Sequence, residues 1–307
     1  MISIIIPCYN SETFVGRALD SVLKQTYKDW EIILVNNNST DGTQAVLDAF
    51  QAKYPEKVRV FNETKKGAPA ARNKGLQEAR GEWVQFLDAD DEILPEKLAG
   101  QIALAEKEGA SIVTSPYTRI GTRDRKHFVV PRGLYMDDVW SALILSNMGI
   151  TSSNLFKRAL LLKVQGWDEK LVASQEYDMM FRMLQLNPKV AFDNRDLTII
   201  HFGSVESVSR TEDRVKGRKI LDSRIDLRFR IKKYLADNNL LTEERSAHVS
   251  KFIFETLMLN YRTTPEDVTE ILGKLKLDIS TWKRLHGWYF MRKMDLKRFL
   301  IKHKLMR

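Results

Sequence analysis

The chain has 307 residues, of which 43% are hydrophobic and 29% charged, a composition that favours a folded globular protein and excludes collagen-like, coiled-coil and disordered classes. Its one cysteine, Cys8, excludes an intramolecular disulfide framework and a cysteine-rich zinc site, and we expect a reducing, cytoplasmic compartment and no membrane-spanning helix. The net charge is +9, and residues 216–307 carry 22 Lys/Arg against 11 Asp/Glu, which favours a polyanionic partner such as a membrane surface or nucleic acid.

Apolar and amphipathic segments alternate along the N-terminal third of the chain. The apolar segments predict strands at 2–6, 31–35, 58–61 and 82–87, and the amphipathic segments predict helices at 11–24, 41–54 and 69–79. Strands that alternate with helices in this way form parallel sheets, because each helix crosses over a face of the sheet. We therefore expect an α/β, Rossmann-like sandwich with a mainly parallel central sheet.

The pattern is less regular farther along the chain. Helices are predicted at 95–108, 160–163 and 176–186 and strands at 112–115, 189–193 and 197–201, whereas 117–150 show no clear periodicity. From about residue 215 the pattern is helical and rich in Lys and Arg. We expect one domain over 1–214, with halves at about 1–110 and 111–214, and a helical basic region over 215–307.

An acidic run, Asp-Ala-Asp-Asp at 88–91, directly follows the predicted buried strand 82–87. Ligands of open parallel sheets bind beyond the carboxyl ends of the strands. Carboxylates concentrated there repel one another unless a cation lies among them, and oxygen ligands suit Mg²⁺ or Mn²⁺. The alternative is a solvated turn that caps the next helix.

Other predicted strand ends carry further polar segments. The first strand ends in Pro-Cys-Tyr-Asn at 7–10, the second in Asn-Asn-Asn-Ser-Thr-Asp-Gly at 36–42, and Lys-Gly-Ala-Pro-Ala-Ala-Arg-Asn-Lys-Gly occupies 66–75. With the acidic run and the Gly-Trp-Asp-Glu segment at 166–169, these resemble the family-2 glycosyltransferases in content and order. The resemblance implies the GT-A fold and a nucleotide-diphospho sugar as the donor.

The resemblance also implies where the nucleotide binds. In the family, the first-strand segment forms part of the base pocket, which assigns Pro7, Tyr9 and Asn10 to nucleotide binding. Two acidic residues usually end the second strand, and one of them bonds the uracil ring; Asn36 and Asn37 stand there in this chain. An amide both donates and accepts, so these residues are compatible with uracil, but the departure from the acidic pair weakens the assignment of UDP over GDP or dTDP. A UDP-sugar is therefore only weakly favoured. The alternative is an asparagine-rich turn.

Arg72 and the acidic run complete the expected donor site. Arg72 matches the arginine of the family's Ala-Arg-Asn segment, which lies near the nucleotide. Asp90 matches the acid that reaches the metal most directly, and Asp88 lies near the ribose or the metal. The resemblance therefore implies Mn²⁺ or Mg²⁺ as a cofactor, with Asp91 as a less certain third acid. For Arg72 the alternative is a surface ion pair.

The segment Gln-Glu-Tyr-Asp at 175–178 is similar to the family's Glu-Asp-X-Asp segment, whose second residue is the proposed base. The match assigns the base to Glu176, which would deprotonate the acceptor hydroxyl. Asp178 lies about 200° farther round the predicted helix and is expected to be structural. His201 begins a His-X-X-Ser-like segment, and its family counterparts approach the metal; the alternative is a structural histidine.

The end of the chain is strongly basic. Residues 282–307 hold nine Lys/Arg and one acid, Asp295, with aromatic and aliphatic residues between them. Such a segment is typical of contact with an anionic membrane, and the alternative is a helix packed on the rest of the protein. Nucleic acid is disfavoured because no nucleic-acid module accompanies the charge.

Together these features predict a metal-dependent inverting glycosyltransferase with a glycan, lipid-linked or protein acceptor. It would act in polysaccharide biosynthesis, at the inner face of the cell membrane. A nucleotidyltransferase is one alternative, but residues 7–11 contain no Gly-rich basic phosphate loop. A nucleotide-sugar-binding or membrane-associated protein with a degenerate site is another, favoured by Asn36, Asn37 and Gln175.

Overall fold

The computed structural model describes residues 1–123, 126–134, 137–202, 213–261 and 263–302. The chain divides into two compact units. The N-terminal unit comprises 1–171 and 175–206, and the C-terminal unit comprises 172–174 and 207–307.

Within the described residues, the strands belong to two sheets of the N-terminal unit. They are β1 (Ile2–Cys8), β2 (Trp30–Asn36), β3 (Val58–Asn62), β4 (Trp83–Phe86), β5 (Glu92–Ile93), β6 (Ile112–Thr114), β7 (Tyr117–Arg123), β8 (Lys126–Arg132), β9 (Leu155–Lys157), β10 (Val190–Phe192) and β11 (Thr198–Phe202). The N-terminal unit also holds α1 (Val15–Leu23), α2 (Thr43–Lys53), α3 (Ala68–Glu78), α4 (Lys97–Glu108), α5 (Val139–Ile144), α6 (Arg158–Lys163) and α7 (Gln175–Leu184).

The first sheet has seven strands in the order β10-β6-β9-β4-β1-β2-β3. Neighbouring strands run parallel except at β9, which is antiparallel to both β4 and β6. Its central strands β1 and β2 are buried almost throughout, which explains their continuous apolar sequences. The predicted α/β fold with a mainly parallel sheet is confirmed.

The second sheet lies largely where the sequence showed no periodicity. Its order is β5-β11-β7-β8, with β7 and β8 forming an antiparallel hairpin. Val129 and Val130 of β8 are exposed, so this hairpin lacks the alternation of buried and exposed residues that marks a strand in a sequence. Strand β9 was missed although β6 and β10, which are equally short, were predicted; unlike them, β9 runs directly into a helix, α6 at Arg158, with no turn residue between the two.

The C-terminal unit is helical in its described part, as predicted. Its helices are α8 (Arg214–Asp237), α9 (Glu243–Asn260), α10 (Pro265–Lys274) and α11 (Thr281–Lys302). Asp213 caps α8 by accepting from two backbone N–H groups, and Thr242 caps α9 with its side chain. No helix in the described ranges is both long enough and apolar enough to cross a bilayer.

Candidate active site

Three parallel strands end side by side at one edge of the seven-stranded sheet. Strand β1 lies between β2 and β4, with Cys8 paired to Asn36 and Ile5 paired to Phe86. The segments that follow these strands therefore emerge together at what we call the carboxyl edge. This topology brings the residues predicted at the first, second and fourth strand ends to one place.

The β1 end is tied to the loop that follows β2. Asn10 adopts a left-handed conformation (φ 45°), which asparagine tolerates better than most residues. Its Oδ1 accepts from the Thr40 N–H at 2.8 Å, and its own N–H donates to Ser39 Oγ at 3.1 Å. Pro7 lies within β1, whereas Tyr9 is 58% exposed. Of these three predicted nucleotide-binding residues, Tyr9 presents the largest free surface.

The second strand ends in what we call the asparagine turn, residues 36–38. Asn37 is buried; its amide group donates to the carbonyls of Glu63 (2.8 Å) and Lys65 (2.7 Å). Asn37 Oδ1 also accepts from the Gly67 N–H at 2.8 Å. Asn36 Nδ2 donates to Gln44 Oε1 at 2.6 Å. Asn37 therefore holds the loop that leads into α3, whereas Asn36 is tied to α2.

Helix α3 carries the predicted arginine into the site. Arg72 is buried; its Nη2 donates to Asp88 Oδ1 at 2.6 Å, and its guanidinium lies 4.5 Å from the centre of the Trp167 ring. The Asn73 side chain holds the backbone of Trp167: its Nδ2 donates to the Trp167 carbonyl and its Oδ1 accepts from the Trp167 backbone N–H, both at 2.8 Å. The buried Arg72 Nε–H has no acceptor in the part of the chain that the structure describes. A buried donor without a partner is unusual, and it marks Arg72 as a cation whose charge the protein only partly compensates.

The acidic segment, residues 88–91, is held by Ser152. Its Oγ donates to Asp91 Oδ2 at 2.6 Å and accepts from the Asp88 N–H at 3.1 Å. Arg17 donates to the Asp90 carbonyl at 2.7 Å. Burial, together with the charges of Asp88 and Asp90, raises the pKa of Asp91 well above its ordinary value. Negative charge is thus concentrated at this strand end.

His201 reaches the same region from β11. Its Nε2 lies 2.5 Å from Glu92 Oε1, and Arg17 Nε lies 3.3 Å from the same oxygen. The pairing of β5 with β11 brings Glu92 and His201 together. The imidazole is therefore engaged by a carboxylate. The serines that follow it, Ser204, Ser207 and Ser209, lie outside the described residues.

Glu176 stands in the first turn of α7 and is bound by a buried polar segment. The Thr151 N–H and Oγ1 each donate to Glu176 Oε2 at 2.7 Å. Burial raises the pKa of Glu176; the bonds from Thr151 and the charge of Arg72 oppose this, and the charge of Asp88 adds to it. Glu176, Arg72 and Asp88 therefore lie within electrostatic range of one another.

Asp178 has different partners. It is buried and accepts from Arg182 Nε at 2.8 Å, one turn farther along α7. Arg182 also donates to the carbonyls of Val164 and Gly166. This pair secures the turn before Trp167, where Gly166 has a positive φ of 64° and packs against Asn73 too closely for a side chain. The geometry gives Asp178 a structural environment.

Sequence reasoning missed Arg17, Asn73, Thr151 and Ser152. The Thr-Ser-Ser-Asn run at 151–154 is buried throughout, although all four residues are polar. Such a run is unusual in a core, since buried polar groups need partners. Its one sequence signal is four consecutive polar residues ahead of a strand.

Two of the predicted metal ligands suit a cation that also binds phosphate. The described residues hold no group of three His, Cys, Asp or Glu side chains close enough to bind a metal. Mg²⁺ is usually held by one or two carboxylates and completes its shell with water and substrate phosphates. Asp88 and Asp90 fit that donor set, whereas the ring of His201 is bonded to Glu92.

Comparisons with known proteins agree with this arrangement. The family model described as glycosyl transferase family 2 matches residues 3–161. The chain is 34% identical over 152 residues to UDP-Glc:alpha-D-GlcNAc-diphosphoundecaprenol beta-1,3-glucosyltransferase WfgD of Escherichia coli. The aligned region covers 49% of this chain and 57% of that protein. It spans 62% and 59% of the length of the first two curated relatives that it matches.

Two solved structures have a similar fold. S. aureus TarS 1-349 in complex with UDP-GlcNAc has a TM-score of 0.64 at 18% identity, with 95% of this chain and 80% of that chain covered. The mannosyltransferase PcManGT from Pyrobaculum calidifontis, in complex with GDP-Man and Mn2+, has a TM-score of 0.56 at 16% identity, with 98% and 87% covered. These likenesses confirm the predicted GT-A type of fold.

Proposed function

Because the chain belongs to glycosyl transferase family 2, as the sequence predicted, we propose that it transfers a sugar from a nucleotide-diphospho sugar to an acceptor hydroxyl. One observation carries this proposal. A carboxylate suited to be the base, Glu176, lies within electrostatic range of the Arg72–Asp88 pair at the carboxyl edge. Donor binding and proton removal would then occur side by side.

The donor is proposed to bind across the carboxyl edge, with its diphosphate towards Arg72. The positive charge of the Arg72 guanidinium and the nearby start of α3 both favour a negatively charged group. A uridine nucleotide is favoured because the name of WfgD includes UDP-Glc and TarS was solved with UDP-GlcNAc. The uracil ring would lie near Tyr9, since the amides of Asn36 and Asn37 are engaged by the protein.

Asp88 and Asp90 are proposed to hold a Mn²⁺ or Mg²⁺ ion together with the donor diphosphate. Such an ion neutralises negative charge on the leaving diphosphate. The concentrated charge of the acidic segment and the Mn2+ in the PcManGT complex support this assignment. A ligand role for His201 stays a prediction; because Nε2 contacts Glu92, the metal would bind Nδ1 unless the imidazole leaves Glu92.

Glu176 is proposed as the base of an inverting transfer. Both bonds from Thr151 lie on Oε2, and no other hydrogen bond to this carboxylate is found within the described residues. Oε1 is then the atom that takes the proton of the acceptor hydroxyl. The hydroxyl oxygen attacks the anomeric carbon, and the nucleoside diphosphate leaves from that carbon. Burial makes this carboxylate a stronger base than an exposed one, because it raises the pKa of Glu176.

The acceptor is proposed to be a lipid-linked glycan in polysaccharide biosynthesis. The name of WfgD includes a diphosphoundecaprenol-linked sugar, which supports this choice over a protein. The excess of 22 Lys/Arg over 11 Asp/Glu in 216–307 supports contact with an anionic membrane surface at its cytoplasmic side.

Glu176→Gln tests the proposal. The change keeps the shape of the side chain, so binding of UDP should be unchanged, while sugar transfer or donor hydrolysis falls by roughly 10²–10⁴-fold. Asp178→Asn is the matched control, because its main effect should be on the free energy of unfolding. Release of UDP and free sugar from a panel of UDP-sugars, with Mn²⁺ present, is the measurement.

The same assay separates the competing functions. A nucleotidyltransferase would release pyrophosphate, and a binding protein with a degenerate site would bind UDP-sugars without turnover. The assignment of the base is wrong if Glu176→Gln keeps near-normal turnover while folded Asp178→Asn loses it.

A further inference from the structure

Helix α11 exposes a stripe of large apolar side chains. Leu285, Trp288 and Tyr289 are 59%, 55% and 63% exposed, and their i, i+3, i+4 spacing places them on one face of the helix. Arg292, one turn farther, extends its guanidinium over the Trp288 ring at 5.3 Å. We call Leu285, Trp288 and Tyr289 the apolar stripe. Exposed apolar groups of this kind mark interaction surfaces.

A cavity of about 840 Å³ opens beside the stripe. Its walls include Phe254 of α9, Leu272 of α10, Leu277 of the following segment and Met291 of α11. Leu285 and Trp288 of the stripe line the same cavity. Its volume is in the range of about 300–1,000 Å³ that is typical of ligand pockets. The stripe and the cavity thus form one continuous apolar surface.

The charged groups at this cavity are both cations. Lys276 and Arg284 are the ionisable members of its described lining, and Lys276 is exposed. Arg284 donates to the Leu277 carbonyl at 2.7 Å, which fixes the wall of the cavity. A ligand that complements this lining has a long apolar chain and an anionic head group.

We propose that the cavity of the C-terminal unit binds one acyl chain of an anionic phospholipid while the apolar stripe lies in the bilayer interface. A second copy of this chain is disfavoured as the occupant, because residues 216–307 carry 22 Lys/Arg against 11 Asp/Glu and two such regions repel. An interfacial Trp beside cations is typical of membrane-surface helices. The inference rests on the proposed membrane contact and does not depend on sugar transfer.

Vesicle flotation of the full chain tests the stripe. Binding to vesicles of phosphatidylglycerol and phosphatidylcholine should exceed binding to pure phosphatidylcholine and weaken as salt is added. Leu285→Glu should reduce the partition coefficient at least about tenfold, because it places a carboxylate in the stripe. Leu259→Glu is the matched control: Leu259 is 81% exposed on α9, lies outside the cavity lining and should change binding less than about twofold.

Short-chain lipid tests the cavity itself. Monomeric dioctanoylphosphatidylglycerol, below its critical micelle concentration, should change the Trp288 fluorescence, and Trp288→Phe should remove that change. Met291→Trp fills the cavity and should abolish monomer binding while vesicle flotation persists, with circular dichroism checking the fold of each variant.

The outcomes separate the cavity from the membrane contact. Flotation without monomer binding overturns the cavity assignment and leaves the membrane contact standing. Equal flotation of Leu285→Glu and wild type, or a dimer in sedimentation that Leu285→Glu dissociates, overturns both. Turnover of a UDP-sugar without lipid reports on sugar transfer separately, because this assay needs no membrane.

Discussion

The asparagine turn and the acidic segment follow strands on either side of β1, yet their polar groups are used differently. In the asparagine turn, the amide of Asn37 bonds three backbone groups of one loop. In the acidic segment, burial and neighbouring carboxylates raise the pKa of Asp91, and three carboxylates lie close to one buried cation, Arg72, which pairs with Asp88. Polar residues at a sheet edge are structural where the protein satisfies them, and they indicate a ligand where charge is left over.

Arg72→Met should have the largest effect on activity among the changes that sharpen this comparison. It removes a buried cation that contacts Asp88 and stacks on Trp167, so donor turnover should fall roughly 10²–10³-fold. Arg72→Lys is the control, because it keeps the charge but loses the planar stack and should lose less. Near-normal kcat/KM in folded Arg72→Met would show that the Arg72 guanidinium does not serve the diphosphate.

Asn37→Asp distinguishes structure from base recognition at the asparagine turn. The new carboxylate would face the Glu63 and Lys65 carbonyls that the amide now donates to, so the free energy of unfolding should fall by about 2–3 kcal/mol. Urea denaturation measures this loss, with exposed Asn62→Asp as the control. A stable variant with tighter UDP binding would instead assign Asn37 to the nucleobase.

The acidic segment also differs from the asparagine turn in being supported by a buried network of polar side chains. Lys97 is fully buried, and its Nζ donates to Gln85 Oε1 at 2.5 Å and to Gln101 Oε1 at 2.8 Å. Gln85 in turn donates to the carbonyl of Ser152, the residue that holds the acidic segment. Burial lowers the pKa of Lys97 to about 7, and the charge of Asp193 opposes that shift.

This lysine gives a smaller, pH-dependent effect. Below pH 7 the folded and unfolded states both carry the proton, so the full cost of the buried charge applies. Between about pH 7 and the ordinary pKa of lysine, only the unfolded state keeps this proton. The free energy of unfolding therefore rises with pH, by up to about 1.4 kcal/mol per pH unit. Comparing urea denaturation of wild type and Lys97→Met between about pH 7 and 9 isolates this slope, which the variant should lack. Parallel pH profiles would show that folding does not lower the pKa of Lys97.

The fold could be predicted where each element carries its own pattern. Strands β1 and β2 are long apolar runs, so their alternation with helices was visible in the sequence. The β7–β8 hairpin was not visible, since Val129 and Val130 face solvent rather than a core. Antiparallel β9 was not visible because its apolar residues continue into those of α6 without a turn residue between them.

The candidate site residues that could be predicted are charged groups clustered along the chain. Those that could not be predicted contact partners that are distant in sequence. The acidic segment and Glu176 stand out as carboxylates next to predicted elements. Arg17 and Ser152 do not, because Arg17 is 73 positions from Asp90 and Ser152 is 61 positions from Asp91. Their roles depend on how the sheet brings distant segments together.

Calorimetric titration of UDP, with Mn²⁺ and with a chelator, tests the central claim most directly. We predict that chelation weakens UDP binding to the wild type, and that Asp90→Asn lowers affinity in Mn²⁺ at least roughly tenfold, since even outer-shell partners of a metal contribute that much. Asp20→Asn, an exposed change on α1, should bind as the wild type does. Equal affinity with and without the chelator, together with unchanged binding by Asp90→Asn, would contradict a metal-assisted donor site at the acidic segment.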